Sequence, residues 1–287
     1  MLVAMTPREF SHWQNKQTDN VSNKIVPSAQ NWLLLLTFDG ACYHGWQVQS
    51  NGISIQQVIE EVIFSIMKKK SRLTTSGRTD AGVHALSQVA NFKTNSTLDT
   101  DKLKKGLNSI LPKDIVILDA QEVPLDFHAM KCAKKKLYRY DINNSPFPDA
   151  FSFKFTKFIP YFLNVSSMKI ASQHFLGTHD FSAFRSSSCG AKTTVRTIYK
   201  IEISQKFFNN IENRGNELSF PPCCISIEVE GNGFLKNMVR NIVGTLIEVG
   251  RKKLVSEDIK KILASRDRKN AGPTASPQGL FLVKVFY

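Results

Sequence analysis

The sequence predicts an α+β protein with two similar domains, each a mainly antiparallel mixed sheet backed by helices. Short apolar or alternating segments typical of strands follow one another along the chain, and amphipathic helical segments separate them. The second half repeats this rhythm without repeating the sequence of the first, and 287 residues suffice for two ordinary domains. We therefore predict a tail at residues 1–29, an N-terminal domain at 30–133 and a C-terminal domain at 134–287.

In the first half, the tail is rich in Gln, Asn, Ser and Thr and shows no sustained period, which predicts a mobile segment. Residues 32–38 form a short apolar run ended by Asp39-Gly40, as expected of a buried strand. A helix follows, because Ser54 and Gln57 make a capping-box pattern and apolar residues recur behind it at helical spacing. Strands are also predicted at 89–92 and 115–118, and a helix at 101–111.

The second half begins with residues 134–142, where Tyr138, Tyr140 and Ile142 alternate with polar neighbours and predict a strand. Residues 209–222 are polar and end in Pro-Pro, which is typical of a long hairpin loop. Helices are predicted at 168–176, 235–249 and 256–263, and strands at 194–203, 224–230 and 280–286.

The charge balance of the chain restricts its partners more than its fold. Its 38 Lys and Arg outweigh 24 Asp and Glu, for a formal net charge of +14. A basic surface gains affinity for nucleic acid by neutralising phosphates and releasing their counterions. The same charge is equally consistent with a basic protein that binds no polyanion, because net charge alone names no chemistry.

The cysteines and the apolar runs indicate a cellular setting. Five cysteines, an odd number, are spread along the chain without a C-x-x-C pair or a His/Cys spacing suited to zinc, so we expect a reducing cytosol and no metal site. No run approaches the length of a membrane span, and the N-terminus has no secretory pattern. We therefore expect a soluble, cytoplasmic protein.

The segment 76–85, Ser-Gly-Arg-Thr-Asp-Ala-Gly-Val-His-Ala, is the most unusual stretch of the chain. It places Gly77 and Gly82 around one carboxylate, Asp80, with Arg78 two residues earlier. An aspartate in a glycine-bounded loop is most often a turn residue that bonds its own backbone. The functional alternative is an ionised carboxylate in a pocket, since a nearby arginine favours the charged form.

From Gly77 to Ala85, this segment resembles the active-site signature of the TruA-type tRNA pseudouridine synthases. The resemblance covers about residues 31–287, because further blocks of the family occur in the same order. These blocks are residues 39–40, 43–47, 126–129, 138–140, 177–181, 237–244, 271–275 and 279–280.

The resemblance implies a cofactor-free enzyme that isomerises uridine to pseudouridine at positions 38, 39 and 40 in the anticodon stem-loop of tRNA. It also implies a homodimer, and an active site in a basic cleft where the two domains meet. Asp80 matches the catalytic aspartate of the family. Either of two routes fits this carboxylate: covalent attack on C1′ of the ribose, or removal of the C2′ proton to give a glycal.

Three further roles follow from the resemblance, each beside a simpler alternative. Arg240 matches the arginine that pairs with the catalytic aspartate; otherwise it would be a charge on an exposed helix face. Arg78 matches the residue that helps displace the target base and contacts the RNA backbone; otherwise it is a surface cation. Tyr138 matches the aromatic that stacks on the uracil; otherwise it is a tyrosine of the core.

A basic strip next to Tyr138 supplies candidate contacts to phosphates: Lys131, Lys134, Lys135, Lys136 and Arg139. Met130-Lys131-Cys132 stands where the family more often has an arginine directly after its Phe-His-Ala, and Lys131 is the candidate to take over a backbone contact. His84, His128 and His179 have no metal-site spacing and are interpreted as structural or RNA-facing. Two alternatives to the predicted activity are a noncatalytic RNA-binding or RNA-chaperone module and a pseudouridine synthase with a different RNA target.

Overall fold

The computed structural model describes residues 29–95, 99–207 and 220–287. Within these ranges the chain forms two compact units, one containing the residues up to Lys135 together with Leu282–Tyr287, the other Lys136–Phe281. The last residues of the chain thus lie with the first unit rather than with the second. Nearly all of the predicted tail and most of the predicted 209–222 loop lie outside the described residues.

The first unit contains an antiparallel sheet in which β1 pairs with β3 on one side and with β4 on the other, while the short β2 pairs with β3. Its strands are β1 (Gln30–Phe38), β2 (Thr74–Thr75), β3 (His84–Thr94) and β4 (Ile115–Val123), and its helices are α1 (Ile55–Met67) and α2 (Thr100–Ile110).

Helix α1 begins at the residue that the sequence indicates. The side chain of Ser54 accepts a hydrogen bond from the backbone N–H of Gln57 at 3.3 Å, which satisfies one of the unpaired donors of the first turn. The Gln57 side chain donates forward to Glu61 instead of closing the other half of the capping box. The helix ends at Met67, because the next residue, Lys68, has a left-handed φ of 55°.

Strand β3 is much longer than the predicted strand at 89–92. Its polar residues Ser87, Gln88 and Asn91 are buried together with its apolar ones. Because these buried polar side chains break the apolar run, hydrophobicity alone underestimates the length of the strand.

The second unit contains a mixed, mainly antiparallel sheet in the order β5-β9-β8-β7, with β6 parallel to β5. Its strands are β5 (Lys135–Asn144), β6 (Lys157–Ile159), β7 (Gly177–Asp180), β8 (Val195–Phe207) and β9 (Cys223–Gly231), and its helices are α3 (Val165–Ser172), α4 (Met238–Gly250) and α5 (Asp258–Ser265). The final strand, β10 (Leu280–Phe286), carries the chain from this unit back to the first. The predicted α+β class is confirmed.

Two helices of the second unit differ from the prediction. The helix expected at 168–176 is α3, which starts earlier and gives way to a 3-10 turn at Gln173–Phe175. The helix expected from residue 235 starts at Met238, because Asn237 has a left-handed φ of 62° that no helix can continue through. No helix in the three described ranges is long and apolar enough to cross a membrane.

Candidate active site

Asp80 lies in the connection between β2 and β3, residues 76–83, here called the aspartate loop. Asp80 is half-buried and Arg78 is exposed. The backbone N–H of Val83 donates to the Asp80 carbonyl at 3.1 Å, and Gly82 has a φ of +75°. The loop therefore turns tightly just after the carboxylate, with glycine at the position that requires a left-handed backbone.

The aspartate loop rests on the segment 40–46, which overlaps two other blocks of the resemblance, 39–40 and 43–47. Trp46 N–H donates to the Thr79 carbonyl at 3.1 Å, and Gly82 N–H donates to the Tyr43 carbonyl at 3.4 Å. A Cβ at Gly45 would lie 2.6 Å from the Thr79 carbonyl oxygen, closer than a side chain can approach. Glycine at this position therefore allows two segments distant in sequence to form one wall of the site.

The three histidines are held by their own surroundings. His84 is buried, with its Nδ1 2.9 Å from a carboxylate oxygen of Asp39. His128 Nδ1 accepts from the backbone N–H of Met130, and His179 Nε2 lies 2.7 Å from the Leu176 carbonyl. Among the described residues, no group of His, Cys, Asp or Glu is placed to hold a metal ion.

In the second unit, Arg240 lies in the first turn of α4 and is half-buried. Its Nε donates to the Ala275 carbonyl at 2.7 Å, and its Nη1 donates to Asn237 Oδ1 at 3.2 Å. The backbone completes the contact, because Ala275 N–H donates to the Arg240 carbonyl at 3.1 Å. The guanidinium is thus fixed in direction, unlike a charge on an exposed helix face.

The segment 271–275 packs directly on α4 through two glycines. A Cβ at Gly244 would lie 1.7 Å from the Pro273 carbonyl oxygen, and one at Gly272 would lie 2.7 Å from Thr245 Cα. The Gly272 N–H donates to Thr245 Oγ1 at 2.9 Å. The two backbones therefore touch, and this contact holds the Ala275 carbonyl that fixes Arg240.

Asn241 is a buried anchor of the same contact, and the sequence reasoning assigned it no role. Its Nδ2 donates to the Phe184 carbonyl at 2.7 Å. Its Oδ1 accepts from Thr274 Oγ1 at 2.6 Å and from Arg268 Nη2 at 3.1 Å. The available signal was an amide inside an apolar helix, which must find partners when it is buried.

Tyr138 lies on β5 opposite Val229 and is 7% exposed. Its ring meets that of Phe234 edge to face, with the centroids 5.1 Å apart. Tyr140, two residues on, donates its hydroxyl to the Ser276 carbonyl at 2.8 Å. Burial raises the pKa of Tyr140 to about 12, although the Ser276 hydrogen bond and the charge of Arg240 act in the opposite direction.

Some side chains of the basic strip are exposed, and others already contact neighbouring residues. Lys131 and Lys134 are exposed. Lys135 Nζ lies 4.4 Å from the ring centroid of Phe286. Arg139 pairs with Asp141 at 2.9 Å, so its charge is largely engaged within its own strand.

Lys136 is half-buried and has a lowered pKa. Burial, aided by the positive charge of Arg196, lowers the pKa of Lys136 to about 8. Its ammonium is therefore retained at neutral pH at the expense of stability, since a buried charge loses its hydration.

Comparison with known proteins identifies the class to which this chain belongs. A family profile described as tRNA pseudouridine synthase matches residues 35–130 and 171–287. This chain is 47% identical to tRNA pseudouridine synthase A of Acetivibrio thermocellus, 45% to that of Geotalea daltonii and 44% to that of a Thermoanaerobacter species. Each match spans 258 residues, which are 90% of this chain and 100% of the relative. The chain belongs to the tRNA pseudouridine synthase family, isomerases that convert uridine to pseudouridine.

Proposed function

We propose that this protein converts uridine to pseudouridine at positions 38, 39 and 40 in the anticodon stem-loop of tRNA. The observation that carries the proposal is the aspartate loop, which presents Asp80 beside Arg78 and is held by backbone hydrogen bonds to segment 40–46. The free thiols of all five cysteines support a cytoplasmic location, where tRNA is found.

The chemistry requires one carbon–nitrogen bond to break and one carbon–carbon bond to form. The bond between N1 of uracil and C1′ breaks, the base turns, and C5 bonds to C1′; C5 loses a proton and N1 gains one. Positive charge develops on the sugar as the first bond breaks, and the Asp80 carboxylate responds in one of two ways. Either it attacks C1′ and forms an ester bond that breaks when C5 bonds to C1′, or it takes the C2′ proton and returns it to C2′ when C5 bonds to C1′. The overall change is redox-neutral, so the proposed mechanism uses no cofactor.

The supporting roles extend this proposal. Arg240 would pair with the Asp80 carboxylate and orient it, a role suited to a guanidinium whose direction Ala275 and Asn237 already fix. Tyr138 stacks on the turned-out uracil, since an aromatic ring holds a flipped base well. Arg78 helps to displace that base, and its exposure beside Asp80 favours the role.

In this proposal, residues of the basic strip contact the phosphate backbone of the tRNA. Lys131 and Lys134 are the strongest candidates, because they are exposed. The other three are weaker candidates. Lys135 packs on Phe286, Lys136 is partly buried, and Arg139 pairs with Asp141.

The target position is tested by mapping pseudouridine in unmodified tRNA transcripts that carry a single uridine at position 38, 39 or 40. We expect the purified protein to modify each of the three transcripts, and a transcript with no uridine at these positions to stay unmodified. Modification confined to another region of the RNA would favour a synthase with a different target. Tight binding without any modification would favour a noncatalytic RNA-binding module.

A homodimer also belongs to the proposal, and an exposed aromatic surface supports it. Six large aromatic side chains of the second unit are 38% to 93% exposed within residues 147–162: Phe147, Phe151, Phe153, Phe155, Tyr161 and Phe162. The same segment carries only Asp149, Lys154 and Lys157 as charges, in a chain of net charge +14. Aromatic, charge-poor surfaces are typical of protein interfaces, whereas surfaces that bind nucleic acid are strongly positive.

This surface suits a second copy of the chain, because in a two-fold contact Asp149 of one copy can face Lys154 or Lys157 of the other. We expect wild-type protein to sediment as a dimer, and the double variant Phe151→Ser with Phe153→Ser to sediment as a monomer. Ile110→Ser, which removes an exposed apolar side chain from the first unit, is the matched control and should remain dimeric. A dimeric double variant would exclude this surface.

A further inference from the structure

The aspartate loop has a second support, the fully buried side chain of Gln88 on β3. Its Nε2 donates to the Gly77 carbonyl at 2.8 Å. Its Oε1 accepts from Ser76 Oγ at 2.6 Å and from the N–H of Val89 at 3.1 Å. One amide therefore holds both of the residues that open the loop.

The position of this amide along the sheet explains its effect on the loop. Strand β2 pairs with β3 through Thr75 and Ala90, and the Ser76 N–H continues the ladder by donating to the Val89 carbonyl at 2.8 Å. Beyond that point, the Gly77 carbonyl is held by two side chains rather than by the strand: it accepts from Gln88 Nε2 at 2.8 Å and from Thr75 Oγ1 at 3.2 Å. Glycine has no side chain to restrict its backbone, so the direction of the chain leaving Gly77 depends on these hydrogen bonds, of which the one from Gln88 is the shorter.

We propose that Gln88 is a positioning residue for Asp80: it fixes the start of the aspartate loop and thereby the place of the carboxylate three residues later. This inference rests on the proposed catalytic role of Asp80. Reaction rates depend steeply on placement, since a shift of about 1 Å in a reacting group reduces a rate by about 100-fold.

The first test replaces Gln88 with leucine, which fills a similar volume and makes no hydrogen bond. We expect kcat on tRNA to fall by about 10- to 100-fold while KM changes by less than about twofold, because the variant displaces the carboxylate without altering the RNA contacts. The matched control is Asn91→Leu on the same strand. Asn91 is also buried, but its amide bonds Asn31 and Ala129.

The second test replaces Gln88 with glutamate and uses pH as the readout. A protonated carboxyl can donate to the Gly77 carbonyl as the amide does, whereas an ionised one would place an oxygen against that carbonyl. Burial raises the pKa of such a carboxyl, so kcat of Gln88→Glu relative to wild type should recover as the pH is lowered through that pKa. Gln88→Leu has no titrating group there and should show no such recovery.

A third readout does not depend on activity. Amide hydrogen exchange in residues 76–83 should become faster in Gln88→Leu but not in Asn91→Leu, which reports release of the loop even if the protein proves not to be a synthase. Any of three results would overturn the proposal. The first is a kcat for Gln88→Leu that is no lower than the kcat of Asn91→Leu. The second is a ratio of the kcat of Gln88→Glu to that of wild type that does not vary with pH, and the third is unchanged hydrogen exchange in residues 76–83 of Gln88→Leu. If wild-type protein is inactive but the exchange result holds, the proposed function fails and the positioning role of Gln88 for the loop stands.

Discussion

Asp80→Asn should abolish pseudouridine formation while tRNA affinity stays within about threefold of the wild type. Affinity for RNA comes mainly from contacts between basic residues and phosphates, and Asp80 makes no such contact in the proposed mechanism. Asparagine has nearly the shape of aspartate but no negative charge, so it can neither attack C1′ nor remove the C2′ proton. We expect kcat to fall by at least about 1000-fold, as for other variants that lack the reacting group. Release of tritium from tRNA labelled at C5 of uridine measures the reaction, and filter retention measures binding.

The aspartate loop should survive this substitution, because the hydrogen bond from Val83 uses the backbone carbonyl of Asp80 and not its carboxylate. Asp119→Asn is the matched control: Asp119 lies on β4 in the same unit and bonds Gln121, so its loss should leave tritium release unchanged. Release by Asp80→Asn at the wild-type rate would remove Asp80 from the mechanism and return it to the role of a turn residue.

Gly244→Ala is expected to destabilise the protein by about 3 kcal/mol or more, a large effect for the addition of one methyl group. The new Cβ would lie 1.7 Å from the Pro273 carbonyl oxygen, so helix α4 and the segment 271–275 must separate. That separation also withdraws the Ala275 carbonyl from Arg240, which should reduce kcat in the molecules that remain folded. Urea unfolding measures the first effect and tritium release the second.

The same substitution elsewhere provides the control. Gly106 lies inside α2, where a Cβ would meet only Ile66 Cδ1 at 3.4 Å. Gly106→Ala should therefore stabilise the protein by about 0.5 to 1 kcal/mol, the usual gain from replacing glycine inside a helix. If both variants were equally stable, the close packing at Gly244 would not be a constraint on the fold.

Local signals predicted the helices better than the strands. Helix α1 begins after Ser54 as predicted, because its N-terminus depends on a side chain of the cap residue itself. Strands β6 and β7 were not predicted, since Lys157–Ile159 and Gly177–Asp180 are too short to show a period. Strand β3 was predicted too short because its buried polar residues find partners that only the folded chain supplies.

In the candidate site too, features that depend on neighbouring residues can be read from the sequence, whereas features that depend on distant residues cannot. Asp80 and Arg78 attract attention in the sequence because they are neighbours in one conspicuous loop, and Arg240 because it matches a motif; their roles stay predictions. The residues that hold them in place could not be identified from the sequence. Gln88 and Asn241 are ordinary amides in sequence, and their importance appears only when their partners, distant along the chain, are seen within hydrogen-bonding distance.

The return of the chain to its first unit has a consequence for biosynthesis. Tyr287 donates its hydroxyl to the Ala129 carbonyl at 2.9 Å, and the Phe286 carbonyl accepts from Lys134 N–H at 2.8 Å. Both contacts belong to the unit that carries Asp80, but the whole of the second unit lies between their partners in the sequence. The unit that carries Asp80 therefore cannot make these contacts until the second unit has been synthesised.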